Sequence, residues 1–191
     1  MSERAAWVAL STISGLGPAR FRRLVEAFGS PLMALRAGPA AIADEADLSG
    51  STLSVIEGML GRLEEIEQEL ASLDEMGVRA FTWPDEAYPA RLLRISSPPP
   101  VLWWKSDRVP TQPGAAVALV GSREVSEEAR AEAFRVGHAL AGAGVTVVSG
   151  LAAGIDAAAH EGALECGGTT VGVCGCGIVT AAVSGRGGLA G

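Results

Sequence analysis

Trp7, Leu10 and Ile13 recur three residues apart, the spacing of one helical face. Ser14-Gly-Leu-Gly-Pro18 interrupts that rhythm as a tight hairpin, with the proline placed to open a second helix. Phe21, Leu24, Val25 and Phe28 line one side of the second helix, and Gly29 ends it. A short helix is predicted over 31–37 and another small unit over 40–56. Val55, Met59, Leu63, Ile66, Leu70 and Leu73 then step by four or three, which predicts a longer amphipathic helix. Gly58 and Gly61 weaken its first turns and place its start near Arg62. Glu64, Glu65, Glu67 and Glu69 fall largely off the apolar stripe and form a solvated face.

The period changes after Gly77. Residues 78–83 and 101–105 predict strands, separated by an irregular connector holding Tyr88-Pro89 and Pro98-Pro-Pro100. A polar linker over 106–114 leads into a βαβαβ pattern. Its strands are predicted at 116–120, 145–149 and 169–174. One helix begins near Ser126, with Glu127 and Glu128 suiting the dipole of its first turn. Its expected buried stripe is Ala129, Ala133, Val136, Leu140 and Ala143. A second helix begins near Asp156 and ends by Gly167-Gly168. Right-handed crossovers would place both helix N-termini at the carboxyl edge of a parallel sheet. The chain therefore reads as α/β, with a helical domain over 1–76 and a parallel-sheet domain over 77–191. Three strands make a small parallel sheet, and such sheets are usually covered on both faces. Residues 178–191 are small, Gly-rich and weakly patterned, so the sheet domain reads as incomplete.

Charge narrows the function. The 191 residues are 48% hydrophobic and carry a net charge of −7, so any anion site must be local rather than a broad basic coat. Met1-Ser-Glu-Arg4 is not followed by an unbroken apolar core, and no segment reaches membrane-spanning length uninterrupted. With three cysteines, Cys166, Cys174 and Cys176, the simplest expectation is a soluble protein of a reducing, cytoplasmic compartment.

Two strand-to-helix turns carry the candidate chemistry. In Gly121-Ser122-Arg123 the glycine permits close backbone approach, the hydroxyl donates, and the guanidinium pairs with an oxyanion. The alternative is a plain turn with an exposed arginine. In Ser149-Gly150-Leu151-Ala-Ala-Gly154-Ile-Asp156 two glycines four apart leave room for a ligand against the backbone. Asp156 could cap the helix or contact a ribose or base, and it could pair with His160 one turn on. Together the two turns suggest a phosphate-bearing ligand held at helix N-termini. Gly175-Cys-Gly177 is a poor dinucleotide fingerprint, and the P-loop lysine is absent. Neither a catalytic constellation nor a metal-ligand set stands out, and no cofactor is implied. Gly15 and Gly17 sit where a helix-hairpin-helix would offer N–H groups to a DNA phosphate, with Arg20, Arg22 and Arg23 following. The alternative is a short hairpin that merely packs.

These residues in order resemble the DNA-processing protein A family, also called DprA or Smf. The resemblance rests on Ile13-Ser-Gly-Leu-Gly-Pro18, Tyr88-Pro89-x-x-Leu92 and Pro100-Val-Leu-Trp103. It continues with Val120-Gly-Ser-Arg123, Ser149-Gly-Leu-Ala-x-Gly-Ile-Asp-x-x-Ala-His160, Gly168-Thr-Thr-x-x-Val173 and Gly175-x-Gly177. It implies a sterile-alpha-motif-like helical domain followed by a Rossmann-like domain. It also implies a non-enzymatic protein that binds and protects single-stranded DNA in natural transformation. Such proteins load the recombinase RecA onto that DNA and self-associate as dimers. By motif, Gly121, Ser122 and Arg123 carry over as DNA-phosphate contacts. Ser149, Gly150, Leu151, Gly154 and Asp156 carry over as the second loop of the same pocket. The family's later Tyr-Pro, Arg-Asn-Arg and Ser-Gly-Ser segments are absent here, so the tail from Ile178 reads as a frameshifted or truncated end.

Two other classes compete. Nucleotide phosphoribohydrolases share a related fold, and Gly167-Gly-Thr-Thr170 faintly echoes their motif without its proline or glutamate. A non-functional remnant would expose apolar surface and aggregate.

Overall fold

The computed structural model describes residues 2–48, 50–106 and 114–179. They form two compact units, Met1–Thr111 and Gln112–Gly191. The division expected after residue 76 falls inside the first unit, because the two strands that follow the helices share their core.

In the first unit, α1 (Glu3–Ser11), α2 (Pro18–Phe28), α3 (Pro31–Ala37), α4 (Pro39–Ala46), α5 (Gly50–Met59) and α6 (Leu63–Glu75) precede an antiparallel hairpin. That hairpin pairs β1 (Val78–Thr82) with β2 (Val101–Lys105) in the register Val78↔Lys105 to Thr82↔Val101. Local chemistry sets the helix ends. The Ser2 and Ser30 hydroxyls accept the N–H groups of Ala5 and Met33, and Gly29 closes α2 in the left-handed region at φ 80°. The long helix starts where Gly58 and Gly61 place it, near Arg62: a 3-10 turn, Leu60–Arg62, which contains Gly61, separates α5 from α6, and the apolar stripe from Val55 runs across both.

Large side chains fill this core. Trp7, Phe21 and Trp83 meet pairwise with ring centroids 5.0–5.5 Å apart, the two Trp83 contacts being edge-on. Leu10, Leu24, Leu35, Ile42 and Leu63 pack around them. The connector between the strands holds one helical turn, α7 (Ala90–Leu93). It is pinned at the Pro99 carbonyl, which accepts from the Trp83 indole at 2.9 Å and the Tyr88 hydroxyl at 2.8 Å.

The second unit has a parallel sheet ordered β3 (Ala116–Ala118), β4 (Thr146–Gly150), β5 (Thr170–Val173). Helices α8 (Glu127–Gly142) and α9 (Ile155–Glu165) follow β3 and β4. Its buried hydrophobic cluster is Ala141, Val147, Ala159 and Ala163. Of the stripe predicted for α8, Ala133 is buried and Ala129, Val136 and Leu140 are partly buried, while Ala143 is exposed; Gly137 and Ala141, outside that stripe, are buried as well. Backbone contact is the cause. A Cβ on Gly137 would collide with the Ala159 carbonyl, and one on Gly162 with the Phe134 carbonyl. The helices thus pack main chain against main chain. Val120 and Val173 are 73% and 61% exposed. No helix among the described residues is long and apolar enough to cross a membrane. The predicted weakly patterned tail lies, from residue 180 onward, outside the described residues.

Candidate nucleic-acid interface

Parallel pairing of β3 with β4 brings both turns to one end of the sheet. The turns touch. The Ile155 N–H donates to the Ser122 carbonyl at 3.2 Å, and the Gly121 N–H donates to Asp156 Oδ1 at 3.3 Å. Each loop therefore supplies a donor to the other. Gly154, at φ 84°, lies so close to the Ser122 and Arg123 carbonyls that any side chain would collide with them. A Cβ on Gly121 would stand 2.6 Å from Ile155 Cγ1. Glycine at both positions is what lets the loops close on each other.

Gly121, Ser122 and Arg123 are exposed. The Ser122 hydroxyl donates to the Glu124 carbonyl at 3.0 Å, which holds the turn. Arg123 forms no ion pair or side-chain hydrogen bond among the described residues, so its guanidinium is available to a ligand. The next helix is capped by Ser126, whose hydroxyl accepts the Ala129 N–H and also bonds Glu128, lowering that carboxyl's pKa.

Ser149 and Asp156, expected at the ligand surface, lie beneath it. Ser149 is buried and its hydroxyl donates to the Leu119 carbonyl, tying β4 to the end of β3. Asp156 is 7% exposed and its carboxylate is turned to the Gly121 N–H and against Gly150. A side chain engaged inward supports the loop rather than touching what lies on it. Nor does Asp156 cap or pair as considered from sequence: the N-cap of α9 is Gly154. The nitrogens of His160 go to the Gly150 carbonyl at 2.8 Å and Thr170 Oγ1 at 2.7 Å. Leu151 folds its side chain over Gly172 of β5, where a Cβ would strike it.

Gly172 and Leu119 were not singled out by motif reasoning, and Thr170 was named only within a motif, with no role of its own. A signal existed for the histidine and its partners. His160 follows Ala157-Ala-Ala159 on one helix, and an imidazole buried there requires polar partners. Gly168 is taken up by packing, since its N–H donates to the Ala163 carbonyl at 3.0 Å and a Cβ would meet Ala141. The Gly-Gly-Thr-Thr echo is therefore structural here. Among the described residues no group of three or more His, Cys, Asp or Glu could hold a metal ion. Cys174, partly buried and near Cys176, has its thiol pKa raised, first by desolvation and then by its neighbour's charge.

In the first unit, Gly15 sits at φ 86° in the α1–α2 hairpin and Gly17 is the N-cap of α2. Arg20 folds back, donating to the Gly15 carbonyl at 2.9 Å and lying 3.8 Å from Asp47.

A parallel α/β unit with two glycine-lined loops stitched together at the carboxyl ends of adjacent strands defines the class. Comparison with known proteins agrees. The family model for DNA recombination-mediator protein A matches residues 79–186, and the chain belongs to that family. It is 35% identical over 184 residues to Protein Smf of Synechocystis sp., covering 93% of this chain and 45% of that protein. It is 33% identical over 137 residues to DNA processing protein DprA of Streptococcus pneumoniae, covering 72% of this chain and 47% of that one. The crystal structure of S. pneumoniae DNA processing protein A superposes with a TM-score of 0.69 at 24% identity, over 97% of this chain and 63% of that chain, and shares the fold. The chain spans about half the length of the curated relatives it matches.

Proposed function

We propose that the chain binds single-stranded DNA through the joined loops of its second unit, as a non-enzymatic mediator of DNA uptake and recombination. The observation that carries this reading is the pair of mutually bonded loops beside an arginine free of ion pairs among the described residues. Arg123 anchors one phosphate. Main-chain donors of Ser122, Gly150, Leu151 and Gly154 line the remainder, Gly121 lets the backbone approach closely, and Ser149 and Asp156 hold the loops from beneath. Gly15 and Gly17 offer a second backbone contact in the helical hairpin. Membership in the DNA recombination-mediator family supports this choice over a nucleotide-hydrolysing enzyme. Loading of RecA and self-association extend the same proposal.

Fluorescence anisotropy of a labelled oligothymidylate, read across a salt series, tests it. Arg123→Ala is expected to weaken binding about tenfold and to flatten the salt dependence by about 0.7 in logarithmic slope, the value for one phosphate contact on a single strand. Equal affinity and slope in the two proteins would remove the pocket from consideration.

A further inference from the structure

We infer that His160 is a positioning residue of the loop after β4, fixing the orientation of the Gly150–Leu151 peptide so that an amide donor faces the ligand. The inference rests on the proposed anion site and assigns it a part that no motif contact supplies. His160 is 1% exposed and lies in the second turn of α9. Its ring joins three elements: its own helix, the last residue of β4 through the Gly150 carbonyl, and the first residue of β5 through Thr170. A carbonyl can only accept, so the Nε2 facing Gly150 carries a hydrogen. Nδ1 lies 2.7 Å from Thr170 Oγ1, and the Thr170 hydroxyl donates its single hydrogen to the Val147 carbonyl at 2.9 Å, which ties the start of β5 back to β4 beside the ring.

The peptide group transmits this choice. In a planar trans peptide the C=O and the following N–H point in opposite directions. With the Gly150 carbonyl held inward on the imidazole, the Leu151 N–H points away from it. Without the ring's donor the carbonyl loses its buried partner, and rotation of this one peptide would turn an acceptor toward the site. For an anion, that replaces attraction by repulsion. Gly150 makes the rotation sterically accessible, since it has no side chain to resist it. A residue that only filled space would have no need of a donor at Nε2.

Three measurements on the full chain decide the matter. In anisotropy with oligothymidylate, His160→Leu is expected to bind about tenfold more weakly. His160→Gln, whose amide places an N–H near the Nε2 position, should stay within about threefold. Both should keep the wild-type salt slope, because no charge contacting DNA is lost, whereas Arg123→Ala lowers it. Wild-type affinity in a folded His160→Leu overturns the inference. Equal losses in the leucine and glutamine variants also overturn it, because the ring would then serve packing alone. Amide NMR of the unmodified protein covers the case in which the leucine variant does not fold: the Leu151 resonance should move on titration with oligothymidylate, and a stationary resonance despite binding overturns the assignment. If the wild type does not bind oligothymidylate, the DNA reading fails. Inorganic phosphate then separates the two ideas: a moving Leu151 amide keeps the clamp, and a stationary one ends both.

Discussion

The two units solve the problem of a close-packed interior with opposite materials. The first locks Trp7, Phe21 and Trp83 together with branched aliphatics from six helices and a hairpin. The second has almost nothing large inside: alanines, one buried valine and glycines that let α8 lie main chain against α9. Large side chains hold elements apart at side-chain distance and leave backbone groups inside their own helices. Small ones bring backbones together, and the precision of the loops then depends on short polar ties from Ser149, Asp156 and His160. The first arrangement favours a core, the second a site made of main-chain donors.

Substitutions that attack each material sharpen the contrast. Phe21→Ala should cost about 3–5 kcal/mol, the range for truncating a fully buried phenylalanine. All four tryptophans, at 7, 83, 103 and 104, belong to the first unit, so tryptophan fluorescence reads its unfolding selectively. If oligothymidylate binding is lost in a protein whose second unit is still folded by circular dichroism, the division of labour is wrong. Gly162→Ala adds a single carbon against the Phe134 carbonyl and should cost about 1–3 kcal/mol. That loss should appear in the helical circular-dichroism melt and leave the tryptophan signal in place. A variant as stable as wild type would show that the helices can separate freely.

The next effect depends on pH. Burial pushes the Tyr88 hydroxyl up to about 12 from its ordinary value of 10.0, against a smaller lowering from its neighbour Trp83. The folded state therefore keeps a proton that the unfolded chain releases near 10, so this contribution is complete below pH 10 and declines as pH climbs toward 12. Tyr88→Phe should flatten the alkaline decline of the tryptophan-detected melt; an unchanged profile would place its cause elsewhere. Smallest is Arg130→Met. This arginine holds Glu161 through both carboxylate oxygens at 2.7 and 3.0 Å, but both side chains are solvent-exposed. A loss of at most a few tenths of a kcal/mol is expected in chemical denaturation.

How far the sequence could be read follows the same division. Where large apolar residues repeat, elements were legible: Phe21, Leu24 and Gly29 mark α2 and its end, and the strands at β1 and β2 follow their aromatic and branched residues. Where glycine does the packing, hydrophobic periodicity misleads. Gly137 is at the centre of the buried face of α8, yet no hydrophobic count includes it. The break at Leu60–Arg62 was legible from Gly58 and Gly61, although the flanking methionine and leucine continue the stripe across it. At the site, the meeting of the two loops was legible from strand-glycine-helix order. The inward turn of Ser149 and Asp156 was not, because a short polar side chain beside glycine serves a ligand or a backbone amide equally well.

The exchange of donors between the loops has a dynamic consequence. Gly121 gives its hydrogen to Asp156 while Ile155 gives its own to Ser122, so neither segment can swing outward without breaking a bond that restrains its neighbour. Opening of either loop therefore loosens the other, and amide hydrogen exchange at Gly121 and Ile155 is expected to be correlated. A ligand on that edge meets two loops that are already joined.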